Sequence, residues 1–178
     1  MTHSIKLTAD STFPFVKATQ LDGTIVDLGK AHSGADWQML IVYRGQHCPL
    51  CVRYLNLLEA HQEALLAIGV SVSAVSADSK NQLEQSMEKL TTTYPIAYGL
   101  SEQQMKQLGL YISAPRSEQE TDHNFAEPAL FVINDLGTVQ AVDISNGPFL
   151  RPELDVVVRG LTFVRHQDNY PIRGTVTY

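Results

Sequence analysis

Cysteine is nearly absent from this chain, with two residues among 178. That excludes a small scaffold stapled by disulfides, and none is needed, because a chain of this length buries roughly 70% of its unfolded surface in one core. Basic residues are also scarce: 13 Lys and Arg face 19 Asp and Glu, for a net charge of -6, and they form no block. The electrostatic basis for general nucleic-acid binding is therefore missing. No apolar run approaches the roughly 18 residues that a membrane span requires. The start, Met1-Thr2-His3-Ser4-Ile5-Lys6, has no charged region leading into an apolar stretch, so no secretory signal is read there. The expectation is a cytoplasmic protein with neither membrane nor nucleic acid as partner. Repeats, low-complexity tracts and Ser/Gly-rich linkers are lacking too, and residues 1–178 read as one domain.

What the chain does contain is an alternation of strand-like and helix-like segments, which predicts an α/β fold. Phe13-Pro14-Phe15-Val16 and Thr24-Ile25-Val26-Asp27-Leu28 flank Leu21-Asp22-Gly23, and Asp-Gly suits a tight turn, so an N-terminal β-hairpin is expected. Met39-Leu40-Ile41-Val42-Tyr43 is apolar without alternation, as in a central strand covered on both faces. A helix from about Pro49 to Ala67 follows; its stripe of Cys51, Leu55, Leu58 and Leu65 lapses at Gln62. Val70 to Val75 reads as the next strand, which makes a right-handed crossover. Asp78 or Ser79 caps a helix carrying Leu83, Met87 and Leu90, and Ser101 opens a shorter one ending near Gly109. Residues 113–126 are polar and aperiodic, with His123 and Arg116 read as exposed. Ala129–Ile133 and Val139–Ile144 form a second hairpin, and a last helix starts near Pro152.

The two cysteines, Cys48 and Cys51, stand three apart where the central strand runs into a helix. At or next to the N-cap, Cys48 meets free N–H groups and the positive end of the helix dipole, which lower a thiol pKa from ~8.5 toward ~3.5–7.5. Pro49 suits the first turn because it has no N–H to lose. Cys51, one turn further in, is more buried and within disulfide reach. The spacing points to Cys48 as the attacking thiolate and Cys51 as the resolving one. A zinc site would need further ligands, often a second cysteine pair, and no third cysteine exists, so no metal is expected even with His47 and His123 nearby.

The stretch Tyr43-Arg44-Gly45-Gln46-His47-Cys48-Pro49-Leu50-Cys51 resembles the active-site segment of thioredoxin-fold proteins of the peroxiredoxin-like (AhpC/TSA) group. Phe13-Pro14, Leu21-Asp22-Gly23, the end of the Val75 strand and Phe131-Val132-Ile133-Asn134-Asp135-Leu136-Gly137 resemble the same group in order and spacing. The resemblance implies a thioredoxin-like fold, a central mixed sheet flanked by helices with an N-terminal β-hairpin extension. It also exposes departures. Peroxiredoxins carry Pro-x-x-x-Thr/Ser-x-x-Cys, where this chain has Ile41 and Gly45 in place of the proline and the hydroxyl residue. The place of the family's peroxide-polarising arginine is taken by Pro128, which resembles the cis-proline of thioredoxins that shapes the substrate groove. Thioredoxins bear a buried Asp before the motif, where this chain has Val42; Glu127 is the candidate proton acceptor instead. His47, if protonated, would stabilise the Cys48 thiolate, and Arg44 would guide an anionic group or hold that thiolate.

The expected activity is thiol–disulfide exchange through a Cys48/Cys51 couple, without a cofactor. A thiol such as thioredoxin or glutathione would serve as reductant, and a protein disulfide or a peroxide as substrate. A thiol peroxidase in which Cys48 becomes a sulfenic acid is the alternative, and a redox-sensing interaction module without turnover is a third. The apolar face of the last helix allows a homodimer.

Overall fold

The computed structural model describes residues 5–176; Met1–Ser4, most of the segment read for a secretory signal, lie outside the described residues. Nine strands and five helices follow one another as β1 (Lys17–Gln20), β2 (Ile25–Asp27), β3 (Trp37–Val42), α1 (Pro49–Glu59), α2 (Gln62–Ala67), β4 (Val70–Val75), α3 (Lys80–Met87), β5 (Ile96–Tyr98), α4 (Glu102–Gln107), β6 (Ile112–Ser113), β7 (Phe125–Ala126), β8 (Ala129–Ile133), β9 (Val139–Ile144) and α5 (Leu154–Arg165). Seven strands form one sheet in the order β2-β1-β5-β4-β3-β8-β9. β3 runs parallel to β4 and antiparallel to β8, so the sheet is mixed.

All six residues of β3 are buried because both of its faces are covered. Met39 and Ile41 point into a core shared with Leu55 and Leu58 of α1, Leu65 of α2, Leu83 of α3 and Leu161 of α5. Leu40 and Val42 face the other way, toward Met105 of α4 and the buried Phe13 and Val16. The missing alternation in the sequence thus has its cause in two-sided burial. Beyond β8, β9 alternates between more and less buried residues as an edge strand should.

Several boundaries differ from the expectation for physical reasons. The first strand is Lys17–Gln20 rather than Phe13–Val16. Asp22-Gly23 turns so tightly that Gln20 N–H already donates to Thr24 O at 2.9 Å, and the residues next to the turn are the ones that pair. The expected helix over 49–67 is two helices. Where the stripe lapses, Ala60 N–H donates to Leu57 O and His61 N–H to Leu58 O, a tightening to i→i−3 bonds that ends α1. α3 stops at Met87, short of Leu90, and α5 starts at Leu154 with Pro152 outside it. β5 was not anticipated. It is three residues long and follows Pro95, yet it joins β4 to β1 across the middle of the sheet. Among the described residues no helix is long and apolar enough to cross a membrane.

Candidate active site

β3 ends at Val42, and the chain reaches α1 through the turn Arg44-Gly45-Gln46-His47. Cys48 is the N-cap of α1 with extended backbone angles, and its sulfur accepts the Cys51 N–H at 3.3 Å. Pro49 occupies the first turn, as expected. Cys48 and Cys51 are joined as a disulfide, their Cα atoms 5.3 Å apart. Both are enclosed, Cys48 at 2% and Cys51 at 0% exposure.

The turn before Cys48 has an unusual backbone. Gly45 has φ +131°, and a Cβ built there would fall on the Asp78 carboxylate. The turn therefore excludes any side chain at this position, a hydroxyl residue included. Asp78, three residues beyond β4 and just before the N-cap of α3, is fully buried. Its Oδ2 accepts the Gln46 N–H at 2.9 Å, while Oδ1 has no hydrogen-bond partner and lies 3.9 Å from His123 Nε2. Burial raises its pKa above the ordinary carboxylate value, against the Gln46 and Ser76 hydrogen bonds. The sequence treated Asp78 as a possible helix cap. Ser79 fills that role with a complete capping box, and Asp78 turns inward.

The polar segment 113–126 is organised around the same turn. β6 and β7 pair at its base, Ile112 with Ala126 and Ser113 with Phe125. Phe125 is buried between two groups of the turn: the His47 ring lies 4.5 Å from its centroid and the Arg44 guanidinium 4.6 Å. Arg44 also approaches Glu127 at 3.3 Å and Glu120 at 3.5 Å. Glu120 is held down to about 2, first by hydrogen bonds from Arg116, with the Arg44 charge adding to them. Arg116 is exposed as expected, whereas His123 is three-quarters covered and faces Asp78.

Three expectations about supporting residues change. Arg44 is engaged by carboxylates rather than by sulfur. His47 has its pKa lowered to about 4, by burial first and then by the Arg44 charge, and neither ring nitrogen has a hydrogen-bond partner. In the disulfide-bonded protein it is therefore neutral at neutral pH. The peptide bond before Pro128 is trans, not cis. Glu127 N–H donates to Tyr111 O and Pro128 O accepts the Ser145 N–H, so the chain passes from β7 into β8 as continuous extended backbone with no need for a reversal. Pro128 is buried, and Glu127 is bound to Arg44 and to the Ser113 hydroxyl at 2.7 Å.

On the other sulfur stands a residue the sequence did not single out. Arg151, in the loop between β9 and α5, places Nη2 2.9 Å from Cys51 Sγ. Its Nη1 donates to Pro148 O at 2.9 Å, and its guanidinium lies 5.2 Å from the centroid of the Tyr54 ring. Beside it opens a cleft of about 450 Å³ whose lining includes Leu50, Tyr54, Leu57, Phe149 and Arg151. Leu50, Leu57 and Phe149 are exposed there.

A thioredoxin-type mixed sheet that delivers a disulfide-forming Cys-x-x-Cys to a helix N-terminus defines a thiol-based redox protein. The chain belongs to the AhpC/TSA family, whose model matches residues 9–142, and it is a redox enzyme of the thiol–disulfide oxidoreductase or peroxidase type. In fold it is similar to AhpC of Mycobacterium tuberculosis, with a TM-score of 0.73 and 16% identity over 91% of this chain and 95% of that one. A peroxiredoxin-like protein from Aquifex aeolicus gives 0.71 and 18% over 90% of each. A protein assigned as a thiol:disulfide interchange protein DsbE from Chlorobium tepidum gives 0.67 and 16% over 90% and 99%. No curated protein matches the chain in sequence.

Proposed function

We propose that the protein is a thiol–disulfide oxidoreductase in which Cys48 is the nucleophile and Cys51 the resolving thiol. The observation that carries this reading is the disulfide between the N-cap residue of α1 and the residue one turn on. At the N-cap a thiolate is favoured by the helix dipole and by the Cys51 N–H that already points at the sulfur. In the reduced protein the Cys48 thiolate attacks a substrate disulfide, forming a mixed disulfide and releasing one thiolate. Cys51 then attacks Cys48, releases the second substrate thiolate and closes the internal disulfide. Two thiols of a reductant such as thioredoxin or glutathione restore the dithiol. The apolar cleft beside the pair suits a protein disulfide, and Pro128 acts as buried support for the site rather than as an exposed groove wall. Residues 1–178 act as one domain in a reducing compartment such as the cytoplasm, and the exposed Val156 and Phe163 on α5 support association into a homodimer.

The second reading is a thiol peroxidase, and family membership favours it. Against it stand the glycine at position 45 and the proline at position 128, which take the places of the hydroxyl residue and the peroxide-polarising arginine in the peroxiredoxin pattern. The decisive experiment measures the rate of reduced protein with a model disulfide beside its rate with hydrogen peroxide. Disulfide exchange is expected to dominate, with both reactions lost in Cys48→Ser. Undiminished dithiol-dependent disulfide reduction in that variant would overturn the assignment of Cys48. Rapid peroxide consumption without disulfide turnover would replace the first reading by the second.

A further inference from the structure

We propose that a cavity at the end of the sheet remote from the cysteines is a binding site for a small neutral carbonyl compound, an amide or ketone on an apolar body. The inference is independent of the exchange reading.

The site begins with an irregularity in β4. Val70-Ser71-Val72-Ser73 alternates as a half-exposed strand would, yet all six residues of β4 are buried. Val70 and Val72 belong to the core that holds Leu55 and Leu65. Ser71 and Ser73 face the other way, beside Gln38 of β3, which pairs with Ser71. Gln38 is 1% exposed, Ser71 0% and Ser73 8%. The row lies on the face of Leu40 and Val42, where that apolar core gives out. Gln38 stands roughly 13 Å along the strand from Val42, beyond which the chain leaves for Cys48.

The segment between β2 and β3 closes over this row. His32 N–H donates to Ser71 Oγ at 3.1 Å, and its Nε2 donates to Val72 O at 3.0 Å. Beside His32 remains a cavity of about 270 Å³ lined by Gln38 and Ser73, with Val26, Leu28, Ala31 and Pro95 as apolar walls. Apolar walls around a few convergent polar groups are the pattern of a small-ligand site.

The hydrogen bonds of the polar row define what it lacks. Ser71 O–H donates to Gln38 Oε1, and Gln38 Nε2 donates to Ser73 Oγ. The amide has a second N–H and Ser73 its own O–H, and among the described residues neither finds an acceptor. Turning the amide over would exchange the roles of the two serines and still leave one amide N–H spare. A buried donor without a partner is costly. A guest that brings an acceptor, and lays carbon against the walls, removes that cost. Its charge follows from the rest of the lining. Lys30 is exposed there, and Asp27 has Oδ1 engaged by the Gly29 N–H. One charge of each sign favours neither an anion nor a cation. A carboxylate would also give up its hydration for neutral donors, a loss that a neutral carbonyl largely avoids. At about 30 Å³ for the liquid volume of one water, the cavity takes roughly nine heavy atoms.

Benzamide matches that size and serves as the probe. Titrated into the isotope-labelled full chain, it should saturably shift the backbone amide signals of His32, Ser71 and Ser73 and the side-chain amide of Gln38. A Kd in the millimolar range is expected of a ligand so small. Toluene, which has the ring without an acceptor, should bind about fivefold more weakly, the scale of one neutral hydrogen bond. Benzoate should bind about tenfold more weakly. Ala31→Leu, which fills the cavity from a half-buried loop position, should abolish the shifts. Ser73→Ala should bring benzamide toward the affinity of toluene. No saturable shift at these residues up to the solubility of benzamide would overturn the site, as would shifts that survive Ala31→Leu. Equal affinity for toluene would overturn the role of the polar row, and tighter binding of benzoate would overturn the neutral ligand class. The readout involves no thiol, so it stands or falls apart from the assignment of Cys48.

Discussion

The two ends of the Cys-x-x-Cys disulfide each have an arginine nearby, and the two arginines are used in opposite ways. On the Cys48 side, Arg44 lies between Glu120 and Glu127 and over Phe125, so its charge is already balanced and it ties the polar segment to the turn. On the Cys51 side, Arg151 touches sulfur and pairs with no described carboxylate. A cation neutralised in the resting protein contributes to stability and responds weakly to new charge. One left unneutralised costs stability and responds strongly. The contrast implies that changes on the Cys48 side register first in folding and those on the Cys51 side first in redox chemistry.

The strongest way to break the Cys48 side is Gly45→Ala. The positive φ and the collision with the Asp78 carboxylate act together, and the expected loss is on the order of 3–5 kcal/mol of folding free energy. Urea denaturation reads it directly; an unchanged midpoint would mean that the turn relaxes freely and that its geometry explains nothing. Arg44→Met comes next. It keeps an apolar chain over Phe125 but leaves Glu127, 5% exposed, without its cation, at an expected cost of about 2–3 kcal/mol. The double variant Arg44→Met/Glu127→Gln should recover part of that loss, and alkylation of Cys51 in the Cys48→Ser background should stay as it is. A large change in Cys51 reactivity with little change in stability would erase the distinction between the two arginines.

How much of this was legible in the sequence follows from the range over which each feature is determined. β3 and β4, the β8–β9 hairpin and the capping of α1 by Cys48 are written in runs of a few adjacent residues, where periodicity and caps act. The resemblance to the AhpC/TSA group rested on similar local stretches. β5 is different, because three residues after a proline become a strand only when β4 and β1 offer their edges. Asp78 sits beside a genuine cap residue, and only the packing of Gly45 against it turns its carboxylate inward. Arg151 is a hundred positions from the sulfur it touches, in a loop without periodicity. Pro128 shows the opposite hazard: a similar position suggested a cis bond, while the extended passage from β7 to β8 holds a trans one.

The smallest predicted effect separates the two sides by pH. In the folded protein His47 has its pKa lowered to about 4, by burial first, then by Arg44, with Glu120 opposing and His123 and Arg116 adding small contributions. In the unfolded chain a histidine titrates near ~6.5. Between these values the unfolded state binds more protons, so the His47 contribution to stability is present above about 6.5 and is lost as pH falls toward 4. Asp78 has the reverse sign: with its folded value raised, stability falls as pH rises from the ordinary carboxylate value through the folded one. On the Cys51 side, Arg151 at about 10 and Tyr54 raised to about 12 do not titrate in this window. His47→Phe, which keeps a ring against Phe125, should therefore flatten the fall in urea midpoint between pH 6.5 and 4, whereas Arg151→Gln should leave that slope as it is. If the slope survives His47→Phe unchanged, the proton is taken up elsewhere, and the polar segment does not hold the turn before Cys48 through a neutral imidazole.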